Sequence, residues 1–73
     1  MVEKAEEYLK QYGLSEVRVR CQGSTARIEI PQDEIKNFFS RYNFRELVQY
    51  FSNLGFNCTS LDLEGLVSGK LNR

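Results

Sequence analysis

Three arginines share one parity across two neighbouring β patterns, Val17-Arg18-Val19-Arg20 and Ala26-Arg27-Ile28-Glu29-Ile30. Alternation of period two puts Val17, Val19 and Cys21 on one side of the first strand and Arg18 and Arg20 on the other. In the second run Ala26, Ile28 and Ile30 face one way, and Thr25, Arg27 and Glu29 the other. A hairpin around Gln22-Gly23 predicts Val17 beside Ile28, Val19 beside Ala26 and Arg18 beside Arg27. Like charges directly opposite one another are destabilising, so an anion is expected to compensate. Planar guanidinium forks suit phosphate or carboxylate, which makes Arg18 and Arg20 candidate phosphate-binding residues. The bland alternative is a solvated strand face in which Arg27 pairs weakly with Glu16 or Glu29.

Two further groups could do chemistry. Glu6 and Glu29, if the first helix brings them together, would favour a hard cation such as Mg²⁺, which takes oxygen ligands. Cys21 and Cys58 could be nucleophiles, sulfur donors or metal ligands, but free cysteine is commonly a small buried hydrophobe. The chain has no histidine, which removes the commonest general base and metal ligand. No nucleophile and base pair is visible, so no catalytic residue is assigned and no activity is expected of the chain alone.

The elements that must position these residues follow from apolar periodicity. Val2, Ala5, Leu9 and Tyr12 recur at helical spacing, with Glu6 at the border of that face and Gly13 as the residue after the helix. The hairpin follows, closed by Pro31. Asp33 is expected to cap a helix carrying Ile35, Phe38, Phe39 and Tyr42. The stripe of Phe44, Leu47, Val48, Phe51 and Leu54 is rotated by roughly half a turn from the previous one, at about 100° per residue. A new helix therefore starts at Asn43, with Glu46 completing a capping pattern, and ends at Gly55 with Phe56 in contact. The aromatics at helical spacing are core or interface. Phe56 to Leu63 reads as a third strand, Asp62-Leu63-Glu64-Gly65 as a strand end and glycine turn. Ser68, Gly69, Lys70, Asn72 and Arg73 read as a loose tail. The expected fold is α+β: a single domain over residues 1–73, αββααβ or αββαβ in order, with helices on one face of a three-stranded sheet and the arginine face uncovered.

Ten basic and ten acidic side chains cancel, which argues against a nucleic-acid binder. Aromatics suited to base stacking would have to stand on the exposed sheet face, where arginine stands instead. A domain of 73 residues buries only about 60% of its unfolded surface, so self-association or attachment to a larger protein is expected. With neither a signal sequence nor a membrane-length apolar run, a cytoplasmic location is expected, with reduced cysteines.

The succession Ala5-Glu6, Val17-Arg18-Val19-Arg20, Ala26-Arg27-Ile28-Glu29, Leu54-Gly55-Phe56 and Leu61-Asp62-Leu63-Glu64-Gly65, with Ser68-Gly69 and Asn72, resembles a known family. It is similar to the C-terminal domain of the ATP-dependent sacrificial sulfur transferases, the LarE-type branch of the PP-loop ATP pyrophosphatases. The resemblance implies a system in which a PP-loop domain adenylylates a carboxylate and a protein cysteine gives up its sulfur, toward a nickel-pincer cofactor. It implies that Arg18 and Arg20 contact phosphate, that Glu6 and Glu29 hold a metal, and that Asp33 is the nearest candidate for a third metal-binding carboxylate. It further implies ATP and Mg²⁺ or another divalent metal for the complete system, with none bound by this chain alone. The PP-loop signature Ser-Gly-Gly-x-Asp-Ser is absent, and Cys21 stands where a histidine or another polar residue is expected, so neither cysteine inherits the donor role. The expectation is an accessory domain, excised or a separate subunit, partnered by a PP-loop ATPase and a phosphate-containing small molecule. The alternative is a stand-alone interaction module that binds an acidic protein through its arginines.

Overall fold

In the computed structural model, which describes residues 2–11, 13–14 and 16–66, the first apolar period forms helix α1 (Val2–Lys10). Strands β1 (Arg18–Gln22) and β2 (Thr25–Glu29) follow, then a 3₁₀ turn (Gln32–Glu34), helices α2 (Ile35–Arg41) and α3 (Phe44–Asn53), and strand β3 (Cys58–Leu61). Tyr12 and the tail residues Ser68, Gly69, Lys70, Asn72 and Arg73 lie outside the described residues. The domain is α+β: β2 is central, antiparallel to β1 and parallel to β3. Val17, Val19, Ala26, Ile28 and Ile30 are buried with Ala5, Leu9, Phe38, Leu47 and Phe51, so the helices cover one sheet face, as expected.

The hairpin register differs from the expected one by two residues. Gln22 pairs with Thr25, so Gly23-Ser24 forms the loop and the pairs become Arg18–Glu29, Val19–Ile28 and Arg20–Arg27. Gly23 has φ +60° and no non-glycine residue described has positive φ, which is the pattern of a II′ turn with glycine first. A slip of two residues conserves parity, so every side chain keeps its expected face while its partner changes.

The break between the two helical stripes is real. Tyr42 is extended (φ −99°, ψ 141°), and its hydroxyl donates to the Leu9 carbonyl at 2.7 Å, satisfying an orphan group in the last turn of α1. Asn43 then caps α3, its side chain accepting from the Arg45 and Glu46 amides at 3.0 and 3.2 Å. At the other end the Phe56 amide bonds the Phe51 carbonyl and the Gly55 amide bonds that of Ser52, while the Phe51 and Phe56 rings pack 5.8 Å apart. This is the Schellman arrangement, with Gly55 at φ +111°.

Two expectations need correction. Asp33 does not cap α2: the Glu34 amide turns back to the Pro31 carbonyl, so Asp33 already lies inside the 3₁₀ turn and makes no capping bond. The third strand is shorter than Phe56–Leu63, because the chain turns at Asp62. There the Glu64 amide bonds the Asp62 side chain and the Gly65 amide bonds the Asp62 carbonyl. Gly65 (φ +82°) sits so close to β2 that a Cβ would stand 2.7 Å from the Ile30 carbonyl oxygen.

Candidate functional site

The hairpin face opposite the helices carries Arg18, Arg20, Arg27 and Glu29, and the structure divides their labour. Glu29 lies on the central strand with a side chain only 3% exposed. Its Oε1 accepts from Arg20 Nε at 3.2 Å, and its Oε2 stands 3.0 Å from Arg27 Nη2. The second contact is an ion pair without hydrogen-bond alignment, and Arg27 Nε is buried without a hydrogen-bond partner. Arg27 is thus a half-buried structural cation, its side chain 16% exposed. Arg20 is tethered through Nε but 45% exposed, and its Nη atoms form no ion pair among the described residues. Arg18 is exposed and, among the described residues, has no ion-pair partner, although it lies directly across from Glu29.

The compensating anion expected for the arginines is therefore partly internal. Arg27 pairs with Glu29, as the bland reading allowed, but in a buried setting and not a solvated one. Three guanidinium groups against one carboxylate leave two net positive charges on this face. They are offered by Arg18 and Arg20, whose Cα atoms lie about 6.7 Å apart along one strand. The face is also less open than expected, since Glu29 is covered.

Glu6 sits on α1 at the rim of the core. Its Oε2 accepts from the Val19 amide at 2.9 Å. Val19 belongs to a non-hydrogen-bonded pair of the ladder, so this amide points off the free edge of β1, between the two arginines. Asp33 is exposed and shares a surface cleft with Leu14, Glu16, Pro31 and Glu34. Glu6, Glu29 and Asp33 stand on three different elements. Among the described residues, no group of three or more His, Cys, Asp or Glu side chains is arranged to hold a metal ion. Glu29 also fits a cation poorly, because each of its oxygens already faces a guanidinium group.

Both cysteines are free and exposed. Cys21, expected on the apolar parity, sits beyond the edge of the core near the turn, its thiol donating to the Gly23 carbonyl at 3.3 Å. Sequence reasoning overlooked Asp62, a buried acid just after β3 whose amide bonds the Ile28 carbonyl. The alternation with Leu61 and Leu63 points the other way, since it predicts an outward Asp62 between inward leucines, whereas Leu63 is 67% exposed.

The fold and this face define a small α+β domain with an arginine pair presented on the edge strand of its hairpin. No protein-family model matches the chain. It is 50% identical over 72 residues to an uncharacterized protein of Synechocystis sp., covering 99% of this chain and 27% of that protein. It is 41% identical over 68 residues to the pyridinium-3,5-bisthiocarboxylic acid mononucleotide synthase of Lactiplantibacillus plantarum, covering 93% of this chain and 24% of the synthase. The chain thus spans about a quarter of the length of the curated relatives it matches. No helix among the described residues is long and apolar enough to cross a membrane.

Proposed function

We propose that the chain is an accessory, anion-binding domain of a PP-loop, ATP-dependent sulfur transferase system, with Arg18 and Arg20 receiving the phosphate of a small-molecule substrate. The observation that carries this is the division among the arginines. Arg27 is spent on Glu29, whereas Arg18 and the outer end of Arg20 face solvent side by side. Similarity to a synthase named for a pyridinium mononucleotide supports the choice of ligand, since a mononucleotide carries a phosphate that two forks can grip. In this reading the domain works in the cytoplasm and performs no chemistry alone. ATP, a divalent cation and the sulfur donor come from a PP-loop domain or subunit.

That partner needs a surface to meet. Phe39 and Val48 are each 50% exposed and stand with Phe44 and Leu61 around a cleft of about 250 Å³ beside β3, suited to docking or self-association. The same patch supports the second reading, a stand-alone interaction module whose arginines grip an acidic protein.

Titration of the ¹⁵N-labelled protein with a pyridine mononucleotide separates the two. The first reading expects amide shifts centred on Arg18, Arg20 and Glu29, and their loss in Arg18→Ala. Silence there, even with the PP-loop partner added, refutes it. Loss of protein-partner binding in Arg18→Ala with phosphate affinity unchanged favours the second.

A further inference from the structure

Two carboxylates flank the Arg18-x-Arg20 strand, and both already have protein partners. Glu29 holds Arg20 by its Nε at 3.2 Å, and Glu6 holds the Val19 amide at 2.9 Å. We infer that Glu29 and Glu6 are positioning residues for the arginine pair, one bracing a side chain and the other the backbone between the two arginines, and not ligands of a cation. This inference rests on the phosphate-binding reading above.

Three observations carry it. Glu29 is buried and meets a guanidinium at each oxygen. A divalent cation there would have to displace two arginines from a site already balanced by positive charge. Next, the Arg20 contact is made through Nε, the atom nearest the stem. That bond restrains the plane of the fork and leaves both Nη groups out of any ion pair among the described residues, on a side chain 45% exposed. Finally, β1 is an edge strand, whose outward amides are otherwise open to solvent. Glu6 occupies the one at Val19, fixing the segment from which Arg18 and Arg20 both project.

Ordering a flexible arginine before the ligand arrives removes part of the cost of binding. Glutamine at position 29 keeps an acceptor for Arg20 Nε but no charge; alanine keeps neither. Both variants remove the same negative charge, so the difference between them isolates the brace from the electrostatics.

The test uses the 73-residue protein with inorganic phosphate as probe. Glu29→Ala is expected to bind phosphate about threefold to tenfold more weakly than Glu29→Gln, the cost of ordering one long side chain. Equal affinities in the two variants overturn the inference. Should Glu29→Ala fail to fold, the arginine Nε–H signals of the wild type decide. The Arg20 signal is expected to exchange slowly with water and stay in place as phosphate is added, while that of Arg18 exchanges fast. Equally fast exchange of both signals overturns the brace. A Mn²⁺ titration supplies the remaining arm. Paramagnetic broadening centred on Glu29 and abolished by Glu29→Gln makes it a cation ligand and overturns the inference, whereas broadening elsewhere or none supports it. If the wild type binds no phosphate at all, the functional reading fails, and the Arg20 Nε–H signal still judges the brace.

Discussion

Replacing Glu29 by glutamine should cost about 2 kcal/mol of folding stability. The Arg27 partner is 16% exposed and Glu29 only 3%, so that pair belongs among buried ones, where removing one partner costs roughly 3–5 kcal/mol. Arg20 is 45% exposed, and its share falls in the surface range of about 0–1 kcal/mol after solvent screening. Glutamine keeps a polar oxygen beside both arginines, so only the negative charge is lost and the cost falls to about 2 kcal/mol, below that of removing the partner outright. Alanine, which also removes the polar partner of buried Arg27 and the acceptor of Arg20 Nε, should cost more, about 3–4 kcal/mol. At about 0.05–0.15 kcal/mol per residue, a domain of 73 residues has only about 4–11 kcal/mol in total. The assay is urea unfolding followed by circular dichroism. With a slope near 1 kcal/mol/M, Glu29→Gln should lower the midpoint by about 2 M. Arg27→Met provides the second edge of a double-mutant cycle, and a coupling energy above about 1 kcal/mol is expected. A loss below about 0.5 kcal/mol for Glu29→Gln, with no coupling to Arg27, would mean that Glu29 is an ordinary solvated carboxylate. The account of the arginine face would then fail.

Other consequences can be checked the same way. Gly65→Ala should cost at least about 2 kcal/mol, because a Cβ there meets the Ile30 carbonyl at 2.7 Å and φ is +82°; a fall in Tm of about 8–16 °C is expected, and a fall under 3 °C would sink the argument. Asn43→Ala removes the acceptor for two amides at the start of α3 and should cost about 1 kcal/mol, with Asn43→Asp close to neutral in the same melts. Phe51→Ala empties a fully buried site touching Phe56 and should cost about 3–5 kcal/mol, enough to leave a large unfolded fraction at 37 °C by near-ultraviolet dichroism. Tyr42→Phe deletes the bond to the Leu9 carbonyl and should cost about 1 kcal/mol, with faster amide exchange in the last turn of α1 as its specific mark.

Much of the domain can be read from residue order because the relevant interactions are local. The parity of Val17, Val19, Ile28 and Ile30 determines which hairpin face is apolar, and it survives even when the pairing slips by two residues. The half-turn phase jump at Tyr42-Asn43 and the Gly55-Phe56 stop are likewise local, since caps and glycine conformations depend on neighbours within a few residues. Parity alone does not decide the register. A two-residue Gln22-Gly23 loop would need positive φ at Gln22, whereas Gly23-Ser24 places the positive φ on the glycine, so turn chemistry favours the observed register.

The sequence by itself determined that three arginines and a glutamate share one face, and that Glu6 borders the apolar stripe of α1. Only the tertiary structure decided what each does: which arginine is spent on Glu29, which is tethered by one nitrogen, and which stands free. The physical reason is that charge roles depend on distance and burial, and these arise when strands far apart in the chain are brought together. Period two assigns a side to each residue but no depth. Placing β3 beside β2 made β2 the central strand, and with it Glu29 became a buried counter-ion. Packing α1 against the edge of β1 likewise turned Glu6 from a solvated acid into the acceptor of the Val19 amide.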